Sequence, residues 1–201
     1  MSTQDGLRDL GIQAMIGQLG GGKDYEPVGE SLQLSKVNRL VVADGAFYEI
    51  SCAVTENGVS SPAADLLAKL TEGMWEDPEA SELPDEYQVS LRRRLLAEIE
   101  MLADSGELPR GQSNSLGDGI WEFKVSNLRM SFFDTDGEGR FVPKLGTSFV
   151  AWNGRTEYEL PDNFDDFLRL GHCFPKVSER TLKNDLEQAN KLRSEDISHD
   201  R

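Results

Sequence analysis

The stretch that most constrains this chain is Ile120–Phe133, IWEFKVSNLRMSFF. Two runs, Ile120–Val125 and Leu128–Phe133, each carry the alternating apolar and polar residues of a half-buried strand. Only Ser126-Asn127 separates them, so they predict a tight antiparallel hairpin. Alternation puts Glu122 and Lys124 on one face of their strand, opposite Trp121 and Phe123. A lone hairpin is marginal in water and needs further strands or helices to cover its apolar face.

The flanking sequence supplies them. Val37–Ala43 and Ala46–Val54, rich in Val, Phe, Tyr and Ile, predict two strands joined at Asp44-Gly45. Ser61-Pro62 predicts an N-cap and first helical residue, with Leu66, Leu67 and Leu70 forming one apolar face before Gly73. Leu91, Leu95, Ile99 and Leu102 recur at helical spacing within Asp85–Ala103, the most regular helix signal of the chain. Its Arg92-Arg93-Arg94 run is expected to face solvent and nearby carboxylates. Glu107–Gly117 reads as loop, and Asp134–Gly139 as a turn. Arg140–Leu160 reads as a hairpin around Trp152–Arg155, Phe167–Phe174 as a strand, and Ser178–Ser194 as a helix packed through Leu182, Leu186, Ala189 and Leu192. Leu7, Leu10, Met15, Ile16 and Leu19 permit a weak helix near the start, stopped by Gly20-Gly21-Gly22. Together these predict an α+β fold: a small antiparallel or mixed sheet packed against two N-terminal helices and a C-terminal helix.

Charge argues about partners. With 21 Lys+Arg against 36 Asp+Glu the chain carries −15, which disfavours generic polyanion binding. The excess is uneven. Residues 1–105 hold 8 basic and 19 acidic side chains, whereas residues 106–201 hold 13 and 17. Met74–Glu86 has six carboxylates and no base, as in an extended solvated connector, while Leu168–Arg193 is locally +3. No apolar run approaches the roughly 18 residues of a membrane span, and the first residues lack a signal-peptide pattern. The sequence therefore predicts a soluble cytoplasmic protein without a membrane partner. Cys52 and Cys173 lie far apart without metal spacing, so neither a disulfide framework nor a zinc site is expected. Asp134–Gly139 lacks the ligand spacing of a calcium loop, and Gly20-Gly21-Gly22-Lys23 is followed by Asp24, not by the Ser or Thr of a phosphate loop. No metal or cofactor is predicted.

Gly119–Phe133 and Leu170–Ala189, LGHCFPKVSERTLKNDLEQA, together resemble the two signature stretches of the RelE/HigB-like toxin superfamily, especially its phage-derived HigB-like branch. Trp121, Glu122, Lys124, Arg129, His172, Phe174, Lys176, Ser178, Arg180, Thr181, Lys183 and Ala189 fall at matching places. The resemblance implies a RelE-like domain over residues 46–195, with residues 140–164 inserted as a β-hairpin, an N-terminal arm over 1–45 and a flexible tail over 196–201. It further implies a metal-independent mRNA endonuclease, the toxin of a type II toxin–antitoxin pair. Its partners would be a cognate antitoxin, expected to be a helix-turn-helix protein, together with mRNA and the ribosome. On that resemblance His172, Arg129 and Lys176 are the catalytic candidates, and Lys124, Arg180 and Lys183 would bind RNA. The residue types suit the chemistry: RNA cleavage needs the 2′-hydroxyl activated, phosphorane charge neutralised and the 5′-oxygen protonated, and imidazole titrates near neutrality. The other class left open is a catalytically inactive phage or mobile-element protein on the same fold, a protein-interaction module acting through the insertion and the acidic segment.

Overall fold

The computed structural model describes residues 37–77, 84, 88–152, 154–176 and 181–200. The weak N-terminal helix, most of the arm, much of the acidic connector and Arg180 lie outside the described residues. Among the described residues eight strands and three helices follow in the order β1 (Val41–Asp44), β2 (Glu49–Cys52), α1 (Pro62–Thr71), α2 (Leu91–Ser105), β3 (Ser113–Gly117), β4 (Ile120–Val125), β5 (Leu128–Thr135), β6 (Ser148–Val150), β7 (Thr156–Tyr158), β8 (Phe167–Pro175) and α3 (Lys183–Ser198). The fold is α+β. Six strands form one mixed sheet in the order β1-β2-β8-β5-β4-β3, and β6 and β7 form a separate hairpin. The β2–β8 pair is parallel and the others are antiparallel. A parallel pair needs a long crossover, and α1 and α2 fall within it.

The helices form where their caps and apolar spacing require. Ser61 Oγ accepts from the Ala64 N–H, Pro62 occupies the first turn, and Leu66, Leu67 and Leu70 are buried. Ser90 Oγ accepts from the Arg93 N–H, and Leu91, Leu95, Ile99 and Leu102 are buried. Both helices pack on one sheet face against Trp121, Phe123, Leu128, Met130, Phe132, Leu168 and Leu170. The β1–β2 turn is fastened to the end of α2, whose Ala103 carbonyl accepts from the Phe47 and Tyr48 N–H groups at 2.9 and 3.1 Å. Gly45 permits this approach, since a Cβ there would lie 2.3 Å from the Ala103 carbonyl carbon.

The opposite face is covered too. Leu192 and Ile197 of α3, with Phe141, pack on Ala53 and Phe133. The central strands are consequently buried on both faces, not half-buried as alternation predicts: every residue of β5 is buried, including Arg129, Ser131 and Asp134. Val41–Asp44, overlapping the strand expected over Val37–Ala43, is one edge strand. Two other expectations change. Ser113–Gly117, expected as loop, pairs with β4 as the opposite edge strand through its backbone. The final helix runs from Lys183 through Ser198, past the expected start of a flexible tail, and buries Asp196 and Ile197; Leu182 is exposed instead of packed. An ion-pair network holds that last turn: Asp196 pairs with Arg39 and Arg169, and Arg39 also reaches Asp200.

Candidate functional site

The site lies on the α3 face of the sheet, at the end nearest the β4–β5 turn. Lys124 and Arg129 sit directly opposite each other across β4 and β5, and Glu122 is opposite Ser131 one row further in. Lys176 follows β8 immediately, and its backbone N–H donates to the Asn127 carbonyl at 2.6 Å, which brings it to the same turn. The turn itself is anchored: Ser126 Oγ donates to Asp77 at 2.8 Å, and Trp75 Nε1 donates to Asn127 Oδ1 at 3.1 Å. Arg94 also pairs with Asp77, so one arginine of the α2 run meets the acidic connector.

A bulge delivers the histidine. Met130 pairs with Cys173 but Phe132 with Leu170, so β8 carries one extra residue opposite Ser131. Leu168, Leu170 and Cys173 pack toward the helix pair. The extra residue turns His172 to the other face, where its ring stacks on Phe174 at 5.6 Å between centroids. There Nε2 lies 3.2 Å from Oδ1 of Asp185, in the first turn of α3. Gly171 makes the bulge fit, because a Cβ there would come 2.7 Å from Ser131 Oγ. The result is an imidazole held by a carboxylate, in the same face as the cationic row.

The cations do not all play one part. Arg129 is only 8 % exposed. Its Nη1 donates to the Ser126 and Leu128 carbonyls at 2.8 and 2.7 Å, and its Nε lies 3.9 Å from Glu122 Oε1. It braces the hairpin and lends charge from below, whereas Lys124 and Lys176 are less deeply buried. Burial holds the Glu122 carboxyl above its ordinary range, against the pull of Arg129, Lys176 and Lys124 and a hydrogen bond from Asn114. Burial lowers the Lys176 ammonium; Glu122 opposes that shift, and the charges of Arg129, Lys124 and Arg155 add to it. Like charges placed opposite each other on a sheet cost stability, and a bound anion relieves that cost.

Thus His172, Arg129, Lys176 and Lys124 share one face. Lys183 does not join them: its side chain is exposed and pairs with Glu187 one helical turn on. Asp185, the partner of His172, carries no distinct sequence signal, being one acidic residue in a mixed helix. Among the described residues no group of three or more His, Cys, Asp or Glu is placed to hold a metal ion, and no helix is long and apolar enough to cross a membrane. Compared with protein-family models, curated proteins and solved structures, the chain matches none.

Two carboxyls give the fold a pH signature. Burial pushes Glu98 up to about 7, against the pull of Arg94, Arg129 and Lys124. Burial likewise pushes Asp134 up to about 6, although Oδ2 accepts the Asp165 N–H at 3.1 Å and Lys144 is near. A carboxyl raised in the fold holds a proton that the unfolded chain has already released, so stability rises as pH falls through that window. After allowance for screening at the partly exposed Glu98, urea unfolding is expected to show a gain of about 2 kcal/mol between about pH 8 and about pH 5. A flat or opposite trend would show that these groups are not buried as acids.

Proposed function

We propose that this chain is a RelE/HigB-like endoribonuclease, the toxin of a type II toxin–antitoxin pair, which cuts mRNA without a metal. The observation that carries this reading is the meeting of the His172–Asp185 pair with Lys124, Arg129 and Lys176 on one sheet face. The α+β kind of the fold, a mixed sheet with two helices before the central hairpin and one after the last strand, is compatible with a RelE-like domain, and β6–β7 falls within the residues read as its insertion. Lys124 and Lys176 hold the scissile phosphate and Arg129 supports them. With Nε2 engaged by Asp185, Nδ1 of His172 is the ring atom that exchanges a proton with substrate. Attack of the 2′-oxygen on phosphorus forms the new O–P bond as the bond to the 5′-oxygen breaks. The 2′-hydroxyl loses its proton and the leaving oxygen gains one, giving a 2′,3′-cyclic phosphate and a 5′-hydroxyl.

Expression of the full chain in a bacterial host tests this. Growth arrest with transcripts ending in 2′,3′-cyclic phosphate is the expected result, and co-expression of an adjacent helix-turn-helix antitoxin is expected to relieve it. His172→Ala and Arg129→Ala are each expected to restore growth. Unimpaired growth with intact transcripts, in cells holding folded protein, would sink the reading. The exposed hairpin residues Val150 and Trp152 favour a second reading, a non-catalytic module on the same fold that binds another protein. In that case deletion of residues 140–164 abolishes partner capture and the wild-type chain cuts no RNA.

A further inference from the structure

Three separate segments enclose a cleft of about 440 Å3 that the fold leaves open: the β1–β2 turn at Phe47 and Tyr48, the stretch that follows α2, and the end of the β6–β7 hairpin. No residue of the His172 face lines it. Aromatic rings form its apolar wall. Phe47 is 57 % exposed yet held in place, because its ring lies against Gly106, where a Cβ would come 3.0 Å from Cδ1. Tyr158 is exposed on the facing hairpin. Tyr48 is only 7 % exposed, its ring edge-on to Phe164 at 6.1 Å between centroids, and its hydroxyl makes no hydrogen bond among the described residues. The polar wall is negative. Glu107, Glu159 and Asp162 stand there against one base, Arg110, whose guanidinium is already engaged: it bonds Glu159 through Nε at 3.0 Å and lies 5.0 Å from the Phe149 ring centroid. Among the described residues the Glu107 and Asp162 carboxylates have no ion-pair partner. Helix α2 ends at the rim, so the negative end of its dipole lies there, and its last turn carries no basic side chain. Burial, and then the charges of Asp134, Asp162 and Asp166, raise the Tyr48 phenol above its ordinary range, so the field at that hydroxyl is negative too.

We propose that this cleft binds a guanidinium cation on a short aliphatic stem, the group that an arginine side chain carries. Its volume lies in the roughly 300–1,000 Å3 range of small-ligand sites. An anion would meet three carboxylates and one base that is already paired. A bare metal ion does not suit it, since no group of three or more His, Cys, Asp or Glu among the described residues is placed to hold one. A quaternary ammonium gains from the aromatic rings but has no N–H for the carboxylates or for the Tyr48 hydroxyl. A guanidinium satisfies both walls, because it stacks flat on a ring and presents several N–H donors in its plane. Arg110 shows the same pairing inside the cleft, one guanidinium between a carboxylate and a phenyl ring. The site shares no side chain with the His172 face, so it stands or falls apart from the nuclease reading.

The test titrates N-acetyl-arginine amide into the full 15N-labelled chain and follows the Gly106 and Gly111 amides, which line the cleft. Saturable shifts at these two amides are expected, with an affinity of about millimolar for so small a ligand. N-acetyl-citrulline amide, the neutral isostere, is expected to bind at least about tenfold more weakly. Asp162→Asn is expected to weaken binding at least about fivefold, Phe47→Ala at least about threefold and Tyr48→Phe about threefold. Asp162 and Phe47 are exposed, so unfolding midpoints near wild type are expected for their variants, and Glu107→Gln gives a second exposed carboxylate to remove. Lys183→Ala, outside the cleft, leaves affinity unchanged. The source of the cation is read from two further probes. A Gly-Gly-Arg-Gly-Gly peptide that binds at least about tenfold tighter than agmatine supports the site and assigns it to an arginine of a partner protein. A peptide no tighter than agmatine supports it and assigns a free guanidinium compound. No saturable shift at Gly106 and Gly111 with any of these cations would overturn the proposal. So would equal binding of the citrulline compound, or wild-type affinity in a folded Asp162→Asn, Glu107→Gln double variant.

Discussion

Asp196→Ala is expected to lower folding stability by about 3–5 kcal/mol, enough to remove a large share of the roughly 5–15 kcal/mol that holds a typical domain together. The side chain is fully buried. Oδ1 accepts from Arg39 Nε at 2.9 Å and from the Val54 N–H at 2.8 Å, and the Asp196 carbonyl accepts from Arg39 Nη2 at 3.1 Å. Oδ2 lies 3.8 Å from Nε of Arg169, which in turn donates from Nη1 to Ser51 Oγ at 2.8 Å. Arg39 also reaches Asp200 at 2.8 Å. Removing the carboxylate the two guanidiniums share leaves Arg39 with Asp200 alone and Arg169 with the more exposed Glu49 at 3.6 Å, and burial already disfavours the Arg169 cation. The cost is that of a buried cation pair left short of one counter-charge, which exceeds the worth of any single hydrogen bond. Asp196→Asn keeps an oxygen for the Val54 N–H and is expected to lose less. Lys183→Ala, which breaks an exposed pair, is expected to stay within about 0.5 kcal/mol of wild type. Urea unfolding midpoints decide this, and a loss below about 1 kcal/mol for Asp196→Ala would mean that the network is not closed in solution.

This network explains why the sequence reading ended the domain too early. Arg39 and Asp196 are 157 positions apart, and each looks like an ordinary surface charge in its own segment. The pattern reads well where burial imposes a period. The β4–β5 hairpin, the apolar face of α2 and β8 were legible because Trp121, Leu95 or Leu168 must each face a core, and the Ser61-Pro62 start of α1 was legible from its cap. Ser113–Gly117 was not, because its side chains carry no strand preference and its place comes from backbone bonds to β4. The bulge was equally hidden. Strict alternation from Leu168 and Leu170 would send His172 toward the helix pair, and only the register against Ser131 sends it to the other face. Of the juxtaposed side chains, the hairpin alternation fixed the face of Lys124, the resemblance singled out Lys124, Arg129, His172 and Lys176, and Asp185 followed from neither.

Because Asp185 touches His172 and not the cationic row, the two roles separate kinetically. On the nuclease reading proposed above, His172→Ala would remove the proton-transfer group and is expected to lower kcat for RNA cutting by about 10²–10⁴, with KM nearly unchanged. Asp185→Asn keeps the size of the side chain and a polar atom near Nε2, but it replaces an obligate acceptor with an amide whose NH2 can point at the ring. The imidazole then loses the charge that fixes its tautomer and orientation, and kcat is expected to fall about tenfold to a hundredfold, again with KM unchanged. On the same reading Lys124→Ala has the opposite signature, a raised KM and a weaker salt dependence, as expected for loss of a phosphate contact made in ground and transition state alike. The Asp185→Asn, His172→Ala double variant distinguishes an orienting role from an independent one. If Asp185 acts through His172, the double variant is no slower than His172→Ala alone. Additive losses would show that Asp185 serves the reaction, or the fold, by another route. Unfolding midpoints measured on the same preparations separate those two cases, because a carboxylate that merely anchors α3 lowers stability with His172 present or absent.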